Sequence, residues 1–417
     1  MIILVPDIYE ADIKQYCHKK FNAFKDLSLE FVSVPIKSDC GTAESILSIR
    51  ERIRGDFIVH SCDTIVDPQA LLYLVNHYRL YDPMLSMMLS ENAEFFGPKS
   101  APGRHEKERP IRDVIAVEPL DKLELTACDS YVANKVVFIH SERELRQRLK
   151  IRNRELVLHS SLEVHSHFLD AHIYICKRQT LDFMAQNSDR AVFKGEVIPL
   201  LVSQQYNQLN ARGRRKDMVD DDVDDIGSSS MKSDYEEELK GMLENLDPRN
   251  AVQSSYFHKT LPSEPTDCHA IVVSGIVAHR VNTVGSYLSS NKHAKSIMSA
   301  FGAKNLTSIK DCMLGESTSV GEKCVFKRGS IGSNCKIGDR VKLFDCILMD
   351  HVEIESNATL TECIVGSNSK IGTKCDLKSC IIGYRQIVPP GRKSQNEVII
   401  EDDYAIDLSD PITVEND

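Results

Sequence analysis

The C-terminal part of the chain carries a short internal repeat of constant length, which restricts the possible folds more than any other feature. Within one repeat, apolar residues are separated by steps of 5, 6 and 6 residues, so each turn of the chain has three short faces. The repeat forms three apolar columns: Leu314, Ile331, Leu348, Val365 and Ile382; Val320, Ile337, Ile354, Ile371 and Val388; and Ile309, Phe326, Leu343, Leu360 and Leu377. Glycines such as Gly315 and Gly332 follow many of these residues, where the chain must turn a tight corner. The pattern predicts a parallel β-helix of hexapeptide repeats over residues 305–400, a triangular prism of stacked coils.

The cysteines follow the same period. Seven of the thirteen lie in the repeat, each two residues before an inward position: Cys312, Cys324, Cys335, Cys346, Cys363, Cys375 and Cys380. Since strand positions two apart share a face, we expect these thiols to fill the prism as small apolar side chains. The alternative is a metal or disulfide site in the stacked column Cys346, Cys363 and Cys380. Stacked coils hold Cβ atoms about 4.8 Å apart, beyond the ~3.8 Å usual for a disulfide.

The number and spacing of the cysteines and the distribution of charge argue against several classes of protein. An odd number of cysteines without a CxxC pair argues against a disulfide scaffold or zinc site and predicts a reducing compartment. The net charge is −10, but residues 216–238 alone carry −8 and residues 401–417 carry −7, so the rest is near neutral. We expect no nucleic-acid surface. No apolar run approaches the ~18 residues of a membrane span, so we expect no membrane contact.

Composition and periodicity divide the chain into five segments. Up to residue 203, short apolar runs alternate with helical periodicity, as in an α/β sheet, with strands predicted at 1–5, 31–34, 57–59, 85–89 and 169–176. Helices are predicted after Gly41 and after Asp67, which serves as an N-cap. Residues 204–263 are acidic and Ser-rich and predict a linker. A connecting segment over 264–304, the β-helix over 305–400 and an acidic tail over 401–417 complete the prediction.

Two short motifs are candidates for chemistry. Residues 39–45 (DCGTAES) lie at a predicted strand-to-helix junction, where Gly41 and Thr42 would let a nucleotide approach free backbone N–H groups. Asp63 follows a buried strand, at a place where a carboxylate can hold a phosphate-bound metal. Taken alone, each motif is more often an ordinary cap or turn.

The two motifs, in this order, resemble those of the nucleotide-sugar pyrophosphorylase superfamily. The resemblance extends to the hexapeptide repeat and to segments 170–174 (DAHIY), 197–201 (VIPLL) and 396–400 (NEVII). Cys62 precedes Asp63 where active pyrophosphorylases usually have glycine, and in this the chain resembles the gamma-subunit family of eukaryotic translation initiation factor 2B. The resemblance implies a Rossmann-like nucleotidyltransferase-type α/β domain over 1–203, followed by a left-handed parallel β-helix.

The chain departs from the active enzymes in two places. Its first glycine is Gly41, so we expect the Gly-rich triphosphate loop and the N-terminal segment of the family to be missing. His172 stands where active enzymes usually have glycine, and we expect it to be a partly buried scaffold residue. Without phosphate-binding groups, the main electrostatic contribution to nucleotidyl transfer is missing. We therefore expect no catalytic residue, metal or cofactor, and interpret Gly41, Thr42 and Asp63 as a vestigial nucleotide site.

The resemblance also implies a function and partners. It implies a cytosolic, multisubunit guanine-nucleotide exchange factor that promotes GDP–GTP exchange on translation initiation factor 2. The exchange activity is expected in the epsilon subunit, and this chain would be a non-catalytic partner of epsilon and the other subunits. One alternative is an active sugar-1-phosphate guanylyltransferase with the same architecture. Another is a truncated isoform or incomplete gene model, whose first domain would lack a central strand.

Overall fold

A computed structural model describes most of the chain outside the predicted linker and tail. The described residues are 1–21, 28–35, 40–91, 99–103, 107–108, 112–120, 131–141, 149, 151, 153–159, 161–205, 267–300, 308–309 and 312–400. The predicted acidic tail and nearly all of the predicted linker lie outside these ranges, and the five segment boundaries therefore stay predictions.

The described N-terminal residues up to Pro35 form two strands and a helix. Strands β1 (Ile2–Pro6) and β2 (Glu30–Val34) pair in parallel, and helix α1 (Glu10–Phe21) lies between them in sequence. Among these described residues, only Val5 and Cys17 are buried. The two strands predicted here are confirmed, but they form a separate two-stranded sheet.

A seven-stranded mixed sheet forms the centre of the α/β part. The strands that follow β2 are β3 (Phe57–His60), β4 (Thr64–Val66), β5 (Leu85–Glu91), β6 (Lys99–Ser100), β7 (Lys107–Glu108), β8 (Asp113–Pro119), β9 (Tyr131–Ser141), β10 (Glu163–His165), β11 (Leu169–Cys176), β12 (Cys268–Ser274) and β13 (Ala278–Arg280). The order in the sheet is β10-β8-β9-β12-β5-β11-β3, so β10 and β3 are its end strands. Strands β4 and β13 pair with each other, as do β6 and β7.

Strand β12 lies in the middle of this sheet, parallel to β5 and antiparallel to β9. It belongs to the predicted connecting segment, so that segment contributes a central strand to the α/β sheet. Its neighbour β5 is buried on both faces: Leu85, Met87 and Leu89 pack in one cluster, and Met88 packs on the opposite side with Leu74. This explains why apolar residues of β5 occupy both faces of the strand instead of alternating with exposed polar residues.

Helices cover the sheet and link it to the β-helix. They are α2 (Thr42–Ser48), α3 (Pro68–Tyr81), α4 (Asn153–Leu158), α5 (Gln179–Gln186), α6 (Ile198–Gln204), α7 (Val284–Lys292) and α8 (Ala294–Ala300). A π-helical turn over Phe193–Val197 precedes α6. The predicted cap of α3 is confirmed, because the Asp67 side chain accepts a hydrogen bond from the Gln69 N–H at 2.8 Å. None of the helices among the described residues has the length and apolar character that a membrane span requires.

The predicted β-helix is present over residues 312–400. One face consists of the first halves of Val325–Ile331 and Lys342–Leu348 with Thr359–Thr361, Asp376–Lys378 and Lys393–Gln395. A second consists of Ser319–Val320, Lys336–Ile337, Glu353–Ile354, Lys370–Ile371 and Ile387–Val388. The third face is formed by Cys312–Leu314, the ends of the Val325–Ile331 and Lys342–Leu348 strands, Ile364–Val365, Ile381–Ile382 and Val398–Ile399. Strands pair in parallel, each residue with the equivalent residue of the next coil, as between Ile337 and Ile354. The antiparallel pair of Ser308–Ile309 with Cys312–Leu314 precedes the first coil.

The interior of the prism is filled as predicted. Most of the three apolar columns are buried, together with all the repeat cysteines except the half-buried Cys324. The thiols form no disulfide among the described residues, and several donate to backbone carbonyl oxygens, as Cys335 does to Met349 at 3.2 Å and Cys363 does to Leu377 at 3.4 Å. The interpretation of these cysteines as small core residues is therefore confirmed.

Helix α7 packs on the outside of the β-helix and holds it against the α/β part. Leu288 forms a small buried cluster with Ile347 and Ile364 of the coils. At the end of the helix, the Lys292 ammonium lies 3.2 Å from the Glu362 carboxylate. The β-helix is therefore in contact with the polypeptide that follows the central strand of the sheet.

Candidate functional site

Asp63 lies just beyond β3 and is held by two hydrogen bonds. Its Oδ1 accepts from the Ser61 hydroxyl at 2.6 Å, and its Oδ2 accepts from Nε of Arg280 at 2.7 Å. Burial raises the pKa of Asp63, but the hydrogen bonds and the charge of Arg280 outweigh burial, and the net shift is downward. Asp63 is therefore ionised and paired with a cation supplied by β13.

His172 lies beside this pair on a strained strand. Strand β11 shifts its register against β5 between Asp170 and Tyr174, and within this bulge His172 has a φ of 54°. Asp170 holds the bulge, since its carboxylate accepts from the His172 N–H at 2.7 Å and from the Tyr174 hydroxyl at 2.6 Å. The conformation that glycine would adopt freely is thus imposed on a histidine by its neighbours.

The imidazole of His172 acts as a neutral acceptor. Burial, with the charges of Lys194 and Arg280, lowers the pKa of His172 to about 2. Its Nε2 lies 3.4 Å from Nη1 of Arg280, so the neutral ring can accept an N–H from the guanidinium. The residue is 8% exposed, so it is more deeply buried than the partly buried position predicted from the sequence.

A second ion pair involves Lys194 and lies close to Asp170 of β11. The Lys194 ammonium is 3.0 Å from Oδ2 of Asp113 and 3.9 Å from Oδ2 of Asp170. Burial raises the pKa of Asp113 despite the opposing charge of Lys194. Both cations of the cluster, Lys194 and Arg280, are therefore engaged with carboxylates of the same chain.

Gly41 and Thr42 make contacts inside the protein. A Cβ on Gly41 would lie 2.3 Å from the carbonyl oxygen of Ala191, so glycine is required for this close approach of two backbones. The Thr42 hydroxyl accepts from the Phe193 N–H at 2.9 Å, and the Ala43 N–H donates to Ala191 at 2.8 Å. The N-terminal turn of α2 therefore packs on residues 191–193 of the same chain.

The structure does not join the predicted site residues by direct contact. In the described part of the chain, no hydrogen bond or ion pair connects Asp63 with Gly41 or Thr42. Within the same part, no group of three or more His, Cys, Asp or Glu side chains is placed to hold a metal ion. The arrangement is a network of internal ion pairs and hydrogen bonds around β11. The assignment of Gly41, Thr42 and Asp63 as a vestigial nucleotide site stays a prediction.

Sequence reasoning missed Arg280, Lys194 and Asp113. Arg280 is 217 residues from Asp63 in sequence, in a segment without a recognisable motif. Lys194 and Asp113 likewise come from separate elements that meet only at β11. A local signal was therefore not available for any of the three.

Comparisons with known proteins agree with this architecture. A family model described as the EIF2B subunit epsilon LbH domain matches residues 300–393, most of which belong to the β-helix.

Three curated relatives are each named translation initiation factor eIF2B subunit gamma. The relative from Caenorhabditis elegans is 24% identical over 178 residues, 43% of this chain and 40% of the relative. The one from Schizosaccharomyces pombe is 23% identical over 207 residues, 50% of this chain and 41% of the relative. The one from Dictyostelium discoideum is 23% identical over 363 residues, 81% of this chain and 76% of the relative.

The chain is similar to eIF2B gamma subunits. The resemblance predicted from the motifs is therefore confirmed, and the LbH match assigns the prism to the left-handed β-helix class. The matched segments cover less than half the length of the first two relatives.

Proposed function

We propose that this eIF2B-gamma-like chain is a non-catalytic, regulatory subunit of the guanine-nucleotide exchange factor that promotes GDP–GTP exchange on translation initiation factor 2. The names of its relatives support membership in an eIF2B assembly. In this proposal the exchange activity belongs to the epsilon partner. The chain contributes surface and affinity to the multisubunit complex in the cytosol.

The pairing of Asp63 with Arg280 is the observation that carries the proposal. Nucleotidyl and phosphoryl transfer need a metal held by carboxylates and cations free to bind phosphate. Here the guanidinium of Arg280 lies 2.7 Å from the carboxylate that would hold the metal, and Lys194 is paired with Asp113. Residues 191–193 fill the space over Gly41. The two carboxylates and two cations of this cluster thus have partners within the protein, which favours a scaffold over an enzyme.

A reconstituted complex tests the proposal. The tagged chain should co-purify with the epsilon subunit, and the purified complex should release labelled GDP from factor 2. We expect Asp63→Asn to leave this rate within about twofold, because small effects away from the chemistry are ~0.5 kcal/mol. Glu353→Gln, a carboxylate neutralisation on the β-helix, is the matched control.

Two results would contradict the proposal. The first is a rate loss of about tenfold or more for Asp63→Asn in a fully assembled complex, which would mean that Asp63 takes part in exchange. The second is formation of GDP-mannose and pyrophosphate from GTP and mannose 1-phosphate by the purified chain. That product would instead support the sugar-1-phosphate guanylyltransferase.

A further inference from the structure

Strand β13 is fixed to Asp63 by two contacts. It pairs antiparallel with β4, where Arg280 lies opposite Thr64. The Val281 N–H donates to the backbone carbonyl oxygen of Asp63 at 2.7 Å, and Nε of Arg280 donates to the Asp63 carboxylate at the same distance. Asp63 thus holds β13 through both its main chain and its side chain. A change at Asp63 or Arg280 therefore acts directly on this strand.

A buried hydrogen bond joins β13 to helix α7. The strand ends at Arg280 and the helix begins at Val284. Nε2 of His279 on β13 lies 2.7 Å from the hydroxyl of Ser290 on α7, and both residues are 3% exposed. The Ser290 hydroxyl donates to the Ser286 carbonyl oxygen at 2.8 Å, so it accepts from the imidazole N–H. Breaking a buried hydrogen bond leaves its donor unsatisfied, which makes separate movement of β13 and α7 unfavourable.

The other end of α7 is fixed to the coils of the β-helix. The Lys292 ammonium is 3.2 Å from the Glu362 carboxylate and 3.8 Å from that of Asp345, which belongs to the neighbouring coil. The Ser330 hydroxyl donates to Oδ1 of Asn291 at 2.7 Å. The last turn of α7 is thus held by polar groups of three coils, in addition to the apolar contact of the helix with the third face.

We propose that residues 278–292 form a rigid strap that couples the Asp63 ion pair to the β-helix, so that loosening one end loosens the other. The strap consists of a strand held by Asp63, a buried hydrogen bond, and a helix of about 13 Å whose last turn is held by the coils. In the loosened state, β13 and α7 open together as one cooperative unit. Such coupling is reciprocal, so a change at Lys292 affects β13 as a change at Arg280 affects the contact with the coils. Anything that displaces Arg280 from Asp63 would thereby change how firmly the β-helix is held. This inference concerns the chain alone and does not depend on the proposed function.

Hydrogen exchange of the full chain, measured by mass spectrometry of its peptides, tests the coupling. Arg280→Met releases β13 from the Asp63 carboxylate and should speed exchange in α7 about threefold or more. The reactivity of the Lys292 ammonium toward an acylating reagent should rise by a similar factor, because the lysine leaves its carboxylate partners more often. Lys292→Met perturbs the opposite end of the strap and should speed exchange in β13 by a comparable factor.

Two further variants separate coupling from a general loss of stability. Arg50→Met removes an ion pair of the α/β part outside the strap, 2.8 Å from Asp182, and should leave α7 and Lys292 unchanged. Ser290→Ala removes the hydroxyl that links β13 to α7, so Arg280→Met in this background should no longer affect Lys292. Lys292→Met, alone and with Ser290→Ala, decides the question if Arg280→Met does not fold. The proposal is overturned if the folded end variants change exchange only at their own end, or if their effects persist undiminished with Ser290→Ala.

Discussion

Ile354→Asp is expected to unfold the β-helix, because Ile354 lies inside the prism. It is 3% exposed and stacks between Ile337 and Ile371 of the neighbouring coils. Losing a buried isoleucine side chain costs about 2–5 kcal/mol. The new carboxyl has no partner inside the prism, which adds about 1–3 kcal/mol. Together these penalties approach the ~5–15 kcal/mol that stabilises a typical domain.

The buried thiols provide a readout that is specific for this part of the protein. Cys335, Cys363, Cys375 and Cys380 are at most 1% exposed, so they should react with a thiol reagent only when the coils open. The measurement is the labelling of each cysteine as a function of urea, followed by mass spectrometry of the peptides. For Ile354→Asp the labelling midpoint should fall by more than about 1 M, given a dependence of ~1–3 kcal/mol per molar.

Two control variants determine whether the assigned direction of the side chains is right. Glu353→Lys alters the adjacent, outward position, where the carboxylate is 2.7 Å from the ammonium of Lys336 at the surface, and should leave the midpoint nearly unchanged. Ile354→Val keeps the side chain apolar and should cost only about 0.5–1.5 kcal/mol. Equal losses for Ile354→Asp and Glu353→Lys would refute the assignment of inward and outward positions.

Three further outcomes concern the α/β part. Gly41→Ala should lower the free energy of unfolding by about 1–3 kcal/mol in urea titration, because its Cβ would meet a backbone carbonyl oxygen at 2.3 Å, whereas Gly55→Ala, with open space around it, should not. Burial lowers the pKa of both His77 and His269 to about 4, below the usual 6.5, so the unfolded chain binds more protons between these values. Stability should therefore fall as pH drops through that window, and the double replacement by Gln should reduce the difference in Tm between pH 7 and pH 5. Arg280→Met should lower Tm by leaving its carboxylate partner without a cation, and neutralising that carboxylate should recover part of the loss.

The β-helix could be predicted almost completely because its contacts are local and periodic. Each coil pairs with the next coil along the chain, so one spacing defines the register, the buried columns and the corners together. The direction of Cys335 or Cys363 follows from the alternation of a strand and needs no knowledge of the rest of the fold. The cap of α3 at Asp67 was predictable for the same reason, since the contact that forms it spans two residues.

The α/β part could be predicted only at the level of single elements. Apolar runs indicated β5 and β11, but a run of apolar residues does not specify its neighbours in a sheet. Strand β12 follows a long acidic segment and yet pairs with β5, in a region interpreted as a connection. The sequence predicted a helix after Gly41 but not where it ends: α2 stops at Ser48, and a short 3₁₀ turn over Arg50–Arg52 follows.

The candidate site, too, could be predicted from the sequence only in part. The motif around Asp63 was visible in the sequence, and so was the unusual His172, because both lie at the ends or bends of recognisable strands. The partner of Asp63 was not visible, since Arg280 reaches it across 217 residues through the pairing of β13 with β4. A carboxylate in a sequence is equally consistent with a metal ligand and with half of an ion pair. Its role depends on which charge lies within about 3 Å, and distant parts of the chain approach that closely only after the sheet has formed.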